Sequence, residues 1–157
     1  MRENLRLAYL FLLILSAASG NDPILMDALH SKASAYYSQG DYSNAIIVYE
    51  DLLAEQELAF GNQDIHVAET LTQLGEMYAL TGMPDIAEYY FQQAIIIFQE
   101  SFESGKNALE VPLLNLLKIY IFQNDTLMTQ TIKHQLHSIA AIFQPPNSIY
   151  PDFPFAQ

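Results

Sequence analysis

Hydrophobic residues recur at intervals of three and four from Ile24 to about Phe143, the spacing that places them on one face of an α-helix. No alternation typical of a β-strand persists between the turn signals of this region. Glycine, proline and asparagine mark five breaks, at Gly40-Asp41, Gly61-Asn62, Gly82-Met83-Pro84, Ser104-Gly105 and Asn124-Asp125. The pattern therefore predicts six helices, at about residues 24–38, 42–59, 64–80, 85–103, 109–122 and 126–143.

The helical region repeats itself with a period of 42 residues. One copy is marked by Leu71, Gly75, Tyr78, Gly82, Ala87, Phe91 and Ala94, and the copy 42 residues earlier has Leu29, Ala33, Tyr36, Gly40, Ala45, Tyr49 and Leu52. A third copy keeps Leu113, Leu116, Tyr120 and Leu136 but has Leu117, Asn124, Thr129 and Lys133 at positions that are small or aromatic in the others. Self-similarity at this period indicates stacked helical hairpins.

The best-preserved copy resembles a known repeat. Leu71-x2-Leu74-Gly75-x2-Tyr78, followed by Ala87-x3-Phe91, is similar to the tetratricopeptide repeat signature, with Leu71 in place of the usual tryptophan. The 42-residue period and the segment 64–71 resemble the longer repeats of the kinesin light chain type. This resemblance, over about residues 26–142, implies an all-α fold. We expect a short right-handed α-solenoid of about three stacked hairpins, at residues 26–61, 68–103 and 110–143.

Small residues in the repeat have an architectural explanation. Glycine inside a helix costs about 1 kcal/mol relative to alanine, so Gly75 needs a compensating contact. We expect Gly75 to lie where the two helices of a hairpin cross, opposite Ala87, because close approach requires small residues on both sides. Gly40 and Gly82 are predicted to end helices in the left-handed conformation.

The N-terminus has the pattern of a secretory signal peptide. Arg2 and Arg6 precede an apolar run of about twelve residues, and Ala18-Ser19-Gly20 then suits a signal peptidase. The run is shorter than the roughly twenty residues that span a bilayer. We therefore expect residues 1–20 to be removed near Gly20, giving a secreted or periplasmic protein without a membrane span in the mature chain. A buried N-terminal helix is the alternative.

Charge and composition limit the possible partners. The chain has a net charge of −12 and only six lysines and arginines, which argues against nucleic-acid binding. The same charge favours a basic protein or peptide partner. With no cysteine, disulfides and thiolate chemistry are excluded.

No catalytic constellation is present, and no cofactor is predicted. The sequence has no phosphate-binding loop, no nucleophile elbow and no H-E-x-x-H motif. His134 and His137 share one face of the last helix, but two histidines without a nearby carboxylate make an incomplete metal site. A solvated helix face explains the two residues better.

The resemblance implies a binding surface, because in tetratricopeptide arrays the first helix of each hairpin lines a concave groove. The predicted groove residues are Asp27, His30, Ser34 and Tyr37 in the first repeat, Glu69, Thr72, Glu76 and Ala79 in the second, and Val111, Leu114, Lys118 and Ile121 in the third. This groove is acidic and rich in hydroxyl groups at one end, and apolar with one lysine at the other. The acidic end is equally consistent with ordinary solvated surface.

The fifth helix is apolar nearly all round, as helices buried on several sides are. A partner, a second copy of the protein or the proline-rich tail, residues 144–157, is expected to cover it. The tail carries Ile149, Tyr150, Phe153 and Phe155.

Together these features predict an exported, non-enzymatic adaptor or scaffold that binds a protein or peptide, with a role in cell-envelope assembly or secretion resting on family analogy. Two alternatives stay open: a self-associating structural subunit, and a metal-binding protein or enzyme built around His134 and His137.

Overall fold

The computed structural model describes residues 22–101 and 108–143, with side chains as far as Ala140. All the regular structure in these residues is helical. The helices are α1 (Pro23–Ser38), α2 (Tyr42–Phe60), α3 (Ile65–Leu80), α4 (Pro84–Glu100), α5 (Glu110–Phe122) and α6 (Thr126–Phe143). The predicted signal peptide and the tail 144–157 lie outside the described residues. None of the described helices is long and apolar enough to cross a bilayer.

The helices pair into three antiparallel hairpins, α1–α2, α3–α4 and α5–α6, and each hairpin packs on the next through α2–α3 and α4–α5 contacts. This confirms the all-α prediction of stacked hairpins. Helix ends lie within a few residues of the predicted ones. The largest difference is at α4, which ends at Glu100 because Ser101 has an extended ψ of 112°.

The turn inside each hairpin repeats at the 42-residue period. Gly40, Gly82 and Asn124 all have positive φ, at 74°, 78° and 57°. The residue after each of them donates its backbone N–H to the carbonyl of a tyrosine five residues earlier, with distances of 3.0 Å to Tyr36, 2.9 Å to Tyr78 and 2.9 Å to Tyr120. This Schellman geometry satisfies carbonyls that the helix end leaves free. Asparagine tolerates the left-handed conformation, so the third copy keeps the turn without its glycine.

Aspartate side chains fix most of the helix starts. Asp22, Asp41, Asp64 and Asp125 each accept a hydrogen bond from a backbone N–H in the first turn of the following helix. These bonds satisfy donors that have no partner inside the helix. Met83, the residue before α4, makes no capping hydrogen bond with its side chain. Pro84 is the first residue of α4, where a missing N–H is harmless.

The core consists of two clusters that meet at α3. Leu74 and Met77 of α3 pack with the first hairpin, whereas Val67, Ala68 and Leu71 pack with α4, α5 and α6. Leu53, Tyr78 and Tyr90 border both clusters. The middle hairpin therefore joins the two ends of the array through one continuous apolar interior.

Gly75 lies under the ring of Phe91, a residue of the second helix of the same hairpin. A Cβ atom on Gly75 would be 2.7–2.9 Å from three carbons of that ring. Phe91 is fully buried, so the ring has little freedom to withdraw. The ring of Phe91 is therefore a specific contact that requires glycine at position 75.

Candidate interaction surface

The first helices of the second and third hairpins meet on one side of the array. α3 contacts α5 directly, although α4 separates them in the chain. Three polar side chains join the two helices. Asn115 Nδ2 donates to Glu76 Oε1 at 3.0 Å, and Lys118 Nζ donates to Asn115 Oδ1 at 3.0 Å. Asn115 therefore links Glu76 and Lys118 through hydrogen bonds. Both of these predicted groove residues already use part of their hydrogen-bonding capacity within the protein.

The remaining polar groove residues are mostly accessible. Asp27, His30 and Tyr37 on α1 are exposed, and so are Glu69 and Ala79 on α3, whereas Ser34 is half-buried. Of these, Glu69 places an exposed carboxylate near the N-terminal end of α3. Its carboxylate has no hydrogen-bond partner among the described residues.

Thr72 is the exception among the predicted groove residues. Its side chain is only 5% exposed, and its hydroxyl donates to the Ala68 carbonyl at 2.9 Å. The hydroxyl is thus used within its own helix, as threonine often does in helix interiors. Thr72 presents no polar group to a ligand, so the middle of the surface is less rich in hydroxyl groups than the sequence predicts.

α5, whose sequence is apolar nearly all round, has one buried and one exposed face. Leu113, Leu116 and Ile119 are buried in the core, whereas the predicted groove residues Val111, Leu114 and Ile121 are 47%, 39% and 54% exposed. Scattered exposed apolar residues are ordinary on protein surfaces. Here they follow one helix at positions 111, 114 and 121, beside an exposed lysine, Lys118.

Two further exposed apolar residues were missed from the sequence. Leu80 and Phe122 are the last residues of α3 and α5, and they are 52% and 81% exposed. They occupy equivalent positions 42 residues apart. That equivalence, together with their position directly before the turn, is the signal that would have found them.

The sequence of the first two hairpins matches a known repeat family. The tetratricopeptide repeat family matches residues 24–100, which are α1 to α4. Residues 24–100 belong to the tetratricopeptide repeat family. The third hairpin lies beyond the matched residues and has the same turn geometry and the same stacking as the first two.

A solved structure shows the same fold over nearly the whole chain. The crystal structure of BtubC (BKLC) from P. vanneervenii has a TM-score of 0.72 to this chain at 19% sequence identity. The match covers 95% of this chain and 61% of the BtubC chain, so the protein spans about three fifths of its structural neighbour. No curated protein sequence gives a significant match.

Hydrogen bonds between tyrosine and glutamate tie each tetratricopeptide hairpin to the one before it. The Tyr78 hydroxyl donates to Glu50 Oε1 at 2.9 Å, and the Tyr120 hydroxyl donates to Glu88 Oε1 at 2.8 Å. Tyr90 stacks on Tyr78 with ring centroids 5.3 Å apart. Burial, and then the hydrogen bond to the glutamate, raise the pKa of both Tyr78 and Tyr120 to about 12. These tyrosines thus connect neighbouring hairpins, rather than only filling the crossing inside one.

The two histidines of α6 lie on its exposed surface, as their pattern predicted. His134 and His137 are both exposed, and Ser138 Oγ lies 3.3 Å from His134 Nδ1. Among the described residues, no three histidine, aspartate or glutamate side chains come together as metal ligands would. The pair has no third partner in that part of the chain.

A close contact between a histidine and an aspartate lies at the start of α3. His66 Nδ1 lies 2.7 Å from Asp64 Oδ1 at the start of α3, and the His66 ring packs 5.3 Å from the Phe60 ring. Burial acts to raise the pKa of Asp64, but hydrogen bonds from the His66 backbone and side chain, with the charge of that ring, outweigh it and lower the pKa. This cluster holds the link between the first and second hairpins.

Proposed function

We propose that the protein is an exported, non-enzymatic scaffold that binds a protein or peptide on the surface formed by α1, α3 and α5. Tetratricopeptide repeat proteins are generally not enzymes, and their fold suggests protein interaction. The proposal extends this family property to a named surface of this chain and to the compartment that its N-terminal pattern predicts.

The observation that carries the proposal is the exposed apolar row on α5. Val111, Leu114 and Ile121 lie on a helix whose opposite face is buried in the core. A buried helix face fixes the position of the exposed one, so the row is a rigid surface. Rigid apolar anchors lose little conformational entropy on binding.

Charge supports a basic partner. The surface adds Asp27 and Glu69 to the apolar row, on a chain with a net charge of −12. Complementary charges mainly speed up encounter and make binding sensitive to salt. The partner we propose is therefore a segment with apolar side chains and at least one cationic residue.

Substitution of the apolar row tests the surface. Leu114→Asp in the full chain should abolish recovery of proteins that co-purify with the protein from its native compartment. Leu58→Asp is the matched control, since Leu58 is even more exposed, at 70%, but lies on α2 outside this surface. If both variants recover the same proteins as the unchanged chain, this surface is not the binding site.

Export is tested separately. Intact-mass measurement of the exported protein should show a new N-terminus near Asn21. A soluble cytoplasmic protein that retains Met1 would contradict the proposed compartment, and it would leave the binding surface untouched.

Self-association is a second candidate, favoured by the turn between α5 and α6. Phe122 and Leu127 flank this turn and are 81% and 76% exposed. Sedimentation at several concentrations distinguishes the candidates, because a structural subunit would form oligomers without any partner. Substituting Phe122 with serine should then shift the protein to monomer.

A further inference from the structure

An open cavity of about 610 Å³ lies between the end of α4, the start of α5 and the length of α6. It is separate from the α1–α3–α5 surface. Its lining includes Leu109, Leu113 and Ile139, while Gln99, Gln130, Thr131, His134, Gln135 and Ser138 supply polar atoms. We call it the α4–α6 groove. Its volume is in the range of roughly 300–1,000 Å³ that holds drug-sized ligands.

Two residues of α6 that line the groove are smaller than their repeat equivalents. Thr131 and Ser138 stand where α4 has Tyr89 and Ile96, at the 42-residue period. Ile139 is half-buried, whereas its equivalent Ile97 is only 5% exposed. The third hairpin thus leaves apolar surface partly open at a position that the second hairpin closes.

Charge narrows the choice of occupant. Among the described residues that line the groove, none is an aspartate, glutamate, lysine or arginine. Such a lining is unusual on a chain with a net charge of −12. It suits an occupant that is apolar and nearly uncharged, because a charged one would lose its hydration without gaining an ion pair.

The segment 144–157 has this chemistry. It contains Ile149, Tyr150, Phe153 and Phe155, with Asp152 as its one charged side chain. Its four prolines restrict the free segment, which lowers the entropy lost when it becomes ordered. Aromatic side chains bury about 150–250 Å² each, so one of them is large enough to cover Ile139, the apolar lining residue that is only half-buried.

The segment also begins in the right place and is long enough. α6 ends at Phe143, and the groove runs back along α6 from Ile139 to Gln130. Thirteen residues of helix, from 143 back to 130, span about 20 Å. An extended chain of 14 residues reaches about 46 Å. The segment can therefore turn at the helix end and follow the whole groove.

We infer that residues 144–157 of the same chain dock in the α4–α6 groove and cover the half-buried Ile139 with their aromatic side chains. This places the segment away from the exposed row of α5. It then acts as a C-terminal cap of the array and does not compete with a partner bound to α1, α3 and α5. The inference does not depend on the proposed function.

A single tryptophan tests the docking directly, since the chain contains none. Phe153→Trp in the full chain places the reporter on the segment. Docking predicts blue-shifted emission and several-fold weaker quenching by acrylamide than in the urea-unfolded protein. Adding Ser138→Arg, which fills the groove with a charged side chain, should move the emission to longer wavelength and restore quenching.

His137→Arg is the matched control, because His137 is an exposed residue of α6 that does not line the groove. It should leave the tryptophan protected, and circular dichroism should show both variants helical. Solvent-like emission in the Phe153→Trp protein, or protection that survives Ser138→Arg, would overturn the docking. Protection that disappears on dilution would mean that the segment docks in a second copy, which also contradicts an intramolecular cap.

Discussion

At the scale of single residues, Gly75 gives the sharpest prediction. Alanine should raise helix propensity by about 1 kcal/mol, but its Cβ would lie 2.7–2.9 Å from buried ring carbons of Phe91. We expect the clash to dominate, because overpacking a fixed core costs about 1–3 kcal/mol. Gly75→Ala should therefore lower the free energy of unfolding measured by urea denaturation.

The ring supplies the control for this substitution. Shortening Phe91 to leucine removes the atoms that the new methyl group would meet. Gly75→Ala in the Phe91→Leu background should be neutral or stabilising, because only the propensity gain remains. A stability loss of the same size in both backgrounds would show that Phe91 is not the cause.

Gln56 is a second residue whose environment makes a prediction. Its side chain is 9% exposed, and its Oε1 is buried without a hydrogen-bond partner among the described residues. The equivalent position in the second hairpin is Phe98, an apolar core residue. Gln56→Met keeps the shape and removes the unsatisfied oxygen, so it should stabilise the fold by about 1 kcal/mol.

The measurement for Gln56→Met is the urea midpoint, compared with that of Gln39→Met. Gln39 is exposed at the end of α1, so the same chemical change there removes no buried polar group. A midpoint raised equally by both substitutions would point to a general effect of methionine. A lowered midpoint for Gln56→Met would mean that the side-chain amide of Gln56 makes a stabilising contact.

At the scale of elements, the tyrosine–glutamate bonds make the stacking of hairpins sensitive to high pH. The unfolded tyrosines lose their protons near pH 10, whereas folded Tyr78 and Tyr120 have pKa values of about 12. Between these values the unfolded chain loses protons that the folded chain keeps, so unfolding becomes favoured. The stabilisation is complete below about pH 10 and is lost as the pH rises through about 12.

Thermal unfolding across this range measures the effect. The double variant Tyr78→Phe, Tyr120→Phe should be less stable at neutral pH, where it lacks both hydrogen bonds. It should also lose less stability than the unchanged chain as the pH rises above about 10. Equal losses in the two proteins would assign the alkaline transition to other tyrosines.

Local signals in the sequence were enough to predict the elements. Gly40 and Gly82 end helices because only a few residue types adopt positive φ, and Asp41 and Asp125 start helices through short-range hydrogen bonds. Those effects act over four or five residues, so one stretch of sequence reveals them. The clash between Gly75 and Phe91 joins residues sixteen positions apart on two helices. Its general location was predictable, but the atom that requires the glycine was not.

At the scale of the whole molecule, periodicity assigned the predicted groove residues to α1, α3 and α5 but did not predict how their side chains are used. Thr72 and Glu69 belong to the same helix face by periodicity, yet one is buried and the other exposed. The Glu76–Asn115–Lys118 chain depends on the distance between α3 and α5, which periodicity does not specify. The α4–α6 groove is lined by residues of three helices, so periodicity within one helix does not reveal its size.

The stacking also predicts where the molecule opens first. Arrays of repeats are stabilised by each hairpin and by contacts with its neighbours. α3 contacts α2, α4 and α5, whereas α1 and α6 form their main contacts with one helix each. Amide hydrogen exchange should therefore be slowest in α3 and α4 and fastest in α1 and α6, because the end helices can separate without opening the middle of the core.

Exchange measured by mass spectrometry also links this order to the proposed cap. If residues 144–157 cover the α4–α6 groove, α6 should exchange more slowly than α1. Ser138→Arg should then remove that difference and leave α3 and α4 unchanged, whereas His137→Arg should have no effect. Exchange that is equally slow in all six helices would mean that the array opens as one unit, and the hairpins would then have no separate stability.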